Sequence, residues 1–438
     1  MATQDTAVHE RDTRHDERRV AKNIVRGSVG NLIEWYDWYA YTAFSVYFAA
    51  AFFPSGDQTA QLLNTAAVFA VGFLMRPIGG WVLGRYADRK GRRSALTLSV
   101  TLMAVGSLIV ALTPSYDAIG VAAPVLLVTA RLLQGISVGG EYSTSATYMS
   151  EVATPGRRGY YSSFQYVTLI AGQLTALGLQ IVLQSVLSDG QMEAWGWRIA
   201  FVVGAAGAVV VLWLRRGMDE SESFEEGRAN EERGSLRMLL SYPRQCLVVV
   251  GLTMGGTLFF YTYTTYLQKF MVNTSGIAKP TAAWINFCAL LVFVALQPVM
   301  GRLSDRVGRR PLLIGFGVLG ALVVVPSLTL LSHTDNPYYA FVLMVVPLAI
   351  SSLYTSISAV VKAELFPTAI RALGVGLPYA LTVAVFGGTA EYIALWFKDI
   401  GHESWYFFYV TACVLVSLLV YIRMRETSDG SPLDERKG

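Results

Sequence analysis

The sequence predicts an all-α integral membrane protein with twelve spanning helices arranged as two related six-helix bundles. Hydrophobic residues fill 53% of the 438 positions and charged residues only 15%, well outside the usual composition of soluble domains. Twelve mostly apolar stretches can be marked along the chain, each near the length of about 20 residues that a helix needs to cross a bilayer. The decapeptide Gly84 to Arg93, GRYADRKGRR, also returns 217 positions later as GRLSDRVGRR at Gly301 to Arg310. Each copy follows one apolar stretch and precedes another, so the chain is expected to be two copies of one membrane unit.

Taken in order, residues 1–22 are polar and mixed in charge. They lack the apolar core and small-residue cleavage site of a secretory signal and are expected to be a disordered cytoplasmic tail. The first bundle is placed at 23–216, with spans at approximately 25–51, 60–84, 94–113, 122–149, 160–187 and 197–215. Residues 217–243, rich in Glu, Arg, Ser and Gly, break the apolar pattern and are the expected linker, partly helical on the membrane surface. The second bundle, 244–424, has spans at approximately 245–271, 280–302, 312–332, 338–361, 371–397 and 404–424, and 425–438 is a second cytoplasmic tail. Both copies of the decapeptide are expected to be loops.

Basic residues are concentrated at one set of connections: Arg85, Arg89, Lys90, Arg92 and Arg93, then Arg157 and Arg158, then Arg302, Arg306, Arg309 and Arg310. The connections on the opposite face hold almost none. By the positive-inside rule both termini are cytoplasmic. Cys246, Cys288 and Cys413 all lie in predicted helices, with no metal-ligand spacing and no disulfide framework. No metal or cofactor is expected. An enzyme is disfavoured because no nucleophile with a positioned base and no phosphate-cradling glycine loop is present.

Ionisable side chains near a bilayer centre cost several kcal/mol by insertion scales, so each must face protein or water. In the first span Glu34 and Asp37 are three apart and share a face with Trp38 and Tyr41. Burial raises a carboxyl pKa and a neighbouring arginine lowers it, so a carboxylate pulled both ways can load and release a proton as its partner moves. Asp37 is the first candidate for proton coupling and Glu34 the second; the alternative for each is a permanent structural ion pair. Arg76 in span 2 is the first candidate for a substrate anion, because a guanidinium fork grips a carboxylate with two parallel bonds and stays charged. Arg131 in span 4 is a candidate partner of Asp37, either as a switch or as a fixed bridge. Arg198 opens span 6 at the outer face, where it either snorkels to headgroups or contacts an anion in an outer vestibule.

Gln165, Tyr166 and Gln173 in span 5, Tyr261 in span 7 and Tyr354 in span 10 complete the candidate substrate-binding set. Tyr266 and Lys269, near the outer end of span 7, fit an interfacial aromatic belt. Glu391 lies in the outer half of span 11. The candidate gating residues sit at the basic face: Asp88 and Arg92 in the first decapeptide, Asp305 and Arg309 in the second, and Glu141 and Glu151 after span 4. Asp88 and Asp305 hold matching repeat positions, where each can pair across the bundles or accept from a helix N-terminus.

The decapeptide matches the loop signature G-x-L-A/S-D-R/K-x-G-R-R/K of the major facilitator superfamily, with Tyr86 in place of the usual apolar residue in the first copy. GNLIEWYDWYAY, GFLMRPIGGWVLGRYADRKGRR, ARLLQGISVGGEYSTSATYMSEVA, WGWRIAF and ELFPTAIRALGVG further resemble the metabolite:proton symporter branch of that superfamily. The resemblance implies a monomeric carrier in a bacterial inner membrane that imports a small carboxylate with protons by rocking its bundles about a central site. A dicarboxylate such as 2-oxoglutarate comes first among the implied substrates, followed by citrate, shikimate or the zwitterions proline and betaine. It also implies that Asp37 pairs with Arg131. The long heptad-bearing tail of the osmolyte carriers is not matched by the residues after Arg423. The partners are thus a small carboxylate, protons and the lipid bilayer, with no nucleic acid. An uncoupled facilitator or exchanger, or a transporter-like sensor, is the alternative of a different class.

Overall fold

In the computed structural model the described residues are 31–55, 57–90, 92–139, 150, 153, 156–215, 236–367 and 370–428, with side chains at 84–85, 87–90, 92–96, 214–215 and 372 left aside. The first expected tail, the second beyond Ser428 and most of the linker therefore lie outside the described residues. Twelve helices form the body: α1 over 31–52, α2 Gln58–Lys90, α3 Arg92–Leu112, α4 Ala122–Gly139, α5 Arg158–Val186 and α6 Trp197–Arg215. They continue with α7 Pro243–Asn273, α8 Lys279–Val307, α9 Arg309–Ser332 and α10 Pro337–Glu364, then α11 from Arg371 to Asp399 and α12 Glu403–Arg423. Ten of these are long and apolar enough on their described residues to cross a membrane. Of the other two, α3 is described in its apolar part only over Thr97–Leu112, and α1 carries Glu34, Asp37 and Asn31 on buried positions.

Packing repeats with the sequence. In the first bundle α2 packs on α4, α3 on α4 and α3 on α6; in the second α8 packs on α10, α9 on α10 and α9 on α12. Between bundles the main contacts are α5 with α8 and α2 with α11. The repeat relates α2 to α8 and α5 to α11, so these two contacts are images of each other. Both depend on close approach. At the α5–α8 crossing a Cβ on Gly159 would stand 2.6 Å from the Gly301 carbonyl oxygen. Within the first bundle a Cβ on Gly139 would stand 2.0 Å from the Arg76 carbonyl oxygen. Only small residues let such backbones meet.

The structure corrects three expectations. The decapeptides are not loops: α2 runs through Lys90 and α8 through Val307. A helix leaving the apolar layer keeps its own hydrogen bonds while its charged side chains meet water, so it stops only where the backbone turns, at Gly308 with φ 93°. Span 10 ends close to where it was expected but is not one continuous helix: it breaks at Ser356–Ile357 and resumes as Ser358–Glu364. Finally, α7 and α11 each contain a π-helical turn, Thr262–Tyr266 and Val383–Gly387. An extra residue per turn rotates everything beyond it, so Lys269 and Tyr266 face inward, 2% and 1% exposed, and not a lipid-facing belt.

Candidate functional site

Asp37 is fully buried among α1, α3, α4 and α6. Ser107 of α3 donates to its Oδ2, and Gln134 Nε2 of α4 donates to the same oxygen at 2.9 Å. Gln134 Nε2 also reaches Ser107 Oγ at 3.0 Å. On the other side a Cβ placed on Gly204 of α6 would be 2.2 Å from Asp37 Oδ1, so glycine there leaves the carboxylate its space. Glu34, one turn nearer the basic end, is buried too.

Arg131 does not touch Asp37. Its Nη1 donates to Gln134 Oε1 at 2.7 Å, and Gln134 then addresses Asp37. The expected direct pair is corrected to a relay, because the Arg131 guanidinium lies over Trp38 and Tyr41 at 4.1 and 4.4 Å from the ring centroids. Arg76 is caged in the same way, 4.4 Å from Trp38 and 3.9 Å from Phe73. Cation–π contact of this kind contributes roughly 0.5–2 kcal/mol each once water is excluded. It satisfies charge without consuming N–H donors: Nε and Nη2 of both arginines have no hydrogen-bond acceptor. Two cations thus share one indole, each with two donor atoms that have no acceptor among the described residues.

Tyr261 of α7 meets Phe73 edge-on at 5.2 Å and brings the second bundle to Arg76. Tyr166 of α5 meets Phe260 of α7 at 5.5 Å, Gln173 Nε2 donates to the Thr264 carbonyl, and Gln165 is buried on the same helix. Beside Arg76, Gly139, Tyr379 and Val383 border a void of about 10 Å³, which is at the lower limit for a single water.

Two expected substrate contacts are placed elsewhere. Tyr354 packs on Phe316 of α9 at 5.3 Å and under Gly256, inside the second bundle. Arg198 Nη1 donates to the carbonyls of Ala111 and Thr113 at 2.8 and 2.6 Å, so it caps the end of α3. Both positions follow from helix register, which sequence spacing does not settle across a whole bundle.

At the basic end Asp305 accepts from the backbone N–H groups of Gly159 and Tyr160 at 2.8 and 2.9 Å, capping α5 from the other bundle. Arg309 Nη1 holds Asp305 at 2.8 Å, and Arg309 Nη2 lies 3.6 Å from Glu364. A cavity of about 560 Å³ opens there among Arg158, Asp305, Arg309, Glu364 and Glu426. The Asp88 and Arg92 side chains, Glu141 and Glu151 lie outside the described residues. At the opposite end Lys279 Nζ pairs with Glu193 at 2.8 Å, and Asn273 Nδ2 reaches Thr59 at 3.3 Å across the bundles. Contacts between bundles therefore exist on both sides of the arginine cage.

Sequence reasoning missed Ser107, one of several hydroxyls in an apolar helix with nothing to mark it out. It also missed Lys362, placed beyond the predicted span, although its ammonium lies 3.9 Å over the buried Tyr379 ring. The buried Lys269–Glu391 ion pair was not expected either; each member lies just beyond a π turn of its own helix.

The family described as "Sugar (and other) transporter" matches the chain over residues 24–233 and 216–435. The Alpha-ketoglutarate permease of Escherichia coli strain K12 is 52% identical over 433 residues, covering 99% of this chain and all of that protein. The Citrate-proton symporter of Klebsiella pneumoniae is 34% identical, covering 85% of this chain and 84% of that protein. The solved structure titled "Crystal structure of D-xylose-proton symporter" superposes with a TM-score of 0.73 at 20% identity, over 94% of this chain and 99% of that one, a likeness of fold. With a family match in both halves and full-length relatives at this identity, the chain belongs to the sugar (and other) transporter family of the major facilitator superfamily.

Proposed function

We propose that this membrane protein imports 2-oxoglutarate together with protons by alternating access, both termini lying on the cytoplasmic side. The observation that carries the reading is the pair of buried guanidiniums, Arg76 and Arg131, caged by Trp38 and its aromatic neighbours with N–H donors unspent. Such donors suit a planar carboxylate, and two cations suit a dianion. The 52% identity to a full-length Alpha-ketoglutarate permease supports 2-oxoglutarate over citrate, whose named carrier stands at 34%.

Asp37 is the proton carrier in this scheme. Protonated, it frees Gln134 and Arg131 to turn toward substrate; ionised, it holds them back for the empty return. Proton and anion then load together, since neither an unpaired carboxylate nor an unpaired guanidinium is tolerated in a dry, closed state. Asp305 on the α5 N-terminus closes the cytoplasmic side, and the bundles rock about the α2–α11 and α5–α8 contacts.

The test is labelled uptake into proteoliposomes with 2-oxoglutarate, succinate, citrate, shikimate and proline as competitors. Under an inward proton gradient 2-oxoglutarate should accumulate uphill and be displaced first by itself. Asp37→Asn should lose accumulation yet keep exchange of preloaded substrate, and Arg76→Lys should weaken affinity by about 10–100-fold by losing the fork. Uptake indifferent to the gradient would make the protein a facilitator.

A further inference from the structure

Lys269 of α7 and Glu391 of α11 form an ion pair with side chains 2% and 3% exposed, and no step above uses it. Lys269 Nζ donates to Glu391 Oε1, while Glu391 Oε2 is buried without a partner. The carboxylate is therefore held by one oxygen only. Both residues follow a π-helical turn in their own helix, Thr262–Tyr266 before Lys269 and Val383–Gly387 before Glu391. The two helices meet there, since a Cβ on Gly387 would stand 2.8 Å from the Tyr261 ring. Such turns are rare and recur at functional sites. The pair also lies on the two helices of the second bundle that border the arginine cage: Tyr261 of α7 meets Phe73 edge-on at 5.2 Å, and Tyr379 and Val383 of α11 line the void beside Arg76. The other ionisable groups around Glu391 are Tyr266 of α7 and Tyr406 of α12, with Glu403 at the start of α12 reaching Tyr266. From α2, which packs on this part of α11, no ionisable residue occurs between Gln58 and Met75.

From this geometry we propose that Lys269–Glu391 is a second exchange site, in which Glu391 takes up a proton and releases Lys269 to the far carboxylate of the substrate. The inference rests on the reading of the chain as a proton-coupled dicarboxylate carrier and adds the second proton to it. Charge conservation favours it. Empty, the cations Arg76, Arg131 and Lys269 face ionised Asp37 and Glu391, leaving one positive charge. Loaded, the same three cations face a dianion and two neutral carboxyls, again leaving one. The site then crosses the membrane with the same charge in both directions, so the roughly 2.3 kcal/mol per charge per 100 mV of a negative interior neither helps nor hinders import.

The experiment counts protons entering per labelled 2-oxoglutarate in proteoliposomes clamped at zero potential, and the slope of accumulation against the pH gradient. Wild type should take up two protons, with accumulation rising a hundredfold per pH unit. Glu391→Gln should take up one, with a tenfold rise that is reached more slowly because Lys269 is unpaired on the empty return, and should keep counterflow because the loaded site needs only the neutral form. The double variant Lys269→Gln/Glu391→Gln should also report one. Two protons in either variant, or one in wild type, overturns the proposal and leaves the Asp37 scheme standing. Loss of counterflow from inserted, folded Glu391→Gln overturns it as well. A wild-type protein that does not transport 2-oxoglutarate fails at the earlier reading, not here.

Discussion

Arg131 reaches Asp37 only through the carboxamide of Gln134, which accepts from the guanidinium at 2.7 Å and donates to the carboxylate at 2.9 Å. An amide between the charges is a connection that can be broken and remade without separating two bare ions. A hydrogen bond to a charged group is worth about 1.5–3 kcal/mol. Gln134→Met keeps the length and removes the relay, so proton-driven uptake is expected to fall by about 10–100-fold. The check is initial uptake with and without a pH gradient, where the loss should be confined to the gradient-driven part.

Gly204 carries a second prediction. A methyl group at this position would overlap Asp37 Oδ1, and a fully buried carboxylate has nowhere to retreat that preserves its bonds to Ser107 and Gln134. Gly204→Ala should therefore reproduce the coupling defect of Asp37→Asn. Alanine also favours helix by about 1 kcal/mol over glycine, so insertion and yield should hold. Normal accumulation in that variant would show that Asp37 tolerates displacement.

In the proposed cycle the interbundle cap made by Asp305 belongs to the state closed at the basic end. Removing such a cap costs about 0.5–2 kcal/mol, and that cost falls on the closed state alone. In Asp305→Ala, Ser163→Cys, placed beside Gly301 at the crossing, should be alkylated from the basic face about 2–30 times faster. Cys246, Cys288 and Cys413 are replaced by serine for this measurement. An unchanged labelling rate would remove Asp305 from gating.

Glu426, beyond the last span, ties the chain back onto α9. Burial pushes its carboxyl up, but donation from the Arg309 and Arg310 backbone N–H groups, at 2.8 and 3.0 Å, and from Ser428 holds it below the usual glutamate range. A depressed carboxylate stabilises the fold above its unfolded pKa, and that contribution is lost as pH falls through the folded value. Glu426→Gln should thus lower the melting temperature at neutral pH, with the two proteins converging as the medium is acidified below the ordinary glutamate range. A difference constant with pH would mean that the strap acts by shape and not by charge.

Much of this architecture is legible in the chain because a bilayer constrains it so tightly. Apolar length marks the spans, repeated GRxxDRxGRR pairs the halves, and a charge such as Arg76 or Asp37 in an apolar stretch can only be interior. What those side chains touch is another matter. Arg131 and Asp37 look like an ion pair when helices are drawn as wheels; packing inserts Gln134 between them. Arg198 looks like an outer anion contact until α3 ends beneath it.

Composition and repetition alone therefore determined that this is a two-bundle membrane carrier with carboxylates and arginines inside it. The tertiary structure decided the wiring: the indole shared by Arg76 and Arg131, the space that Gly204 leaves for Asp37, and the turn of α7 that swings Lys269 onto Glu391. The division has a physical cause. Burial depends on transfer energy that sums over a segment and survives small errors of register, whereas a hydrogen bond depends on angstroms, which one π turn or one glycine is enough to change.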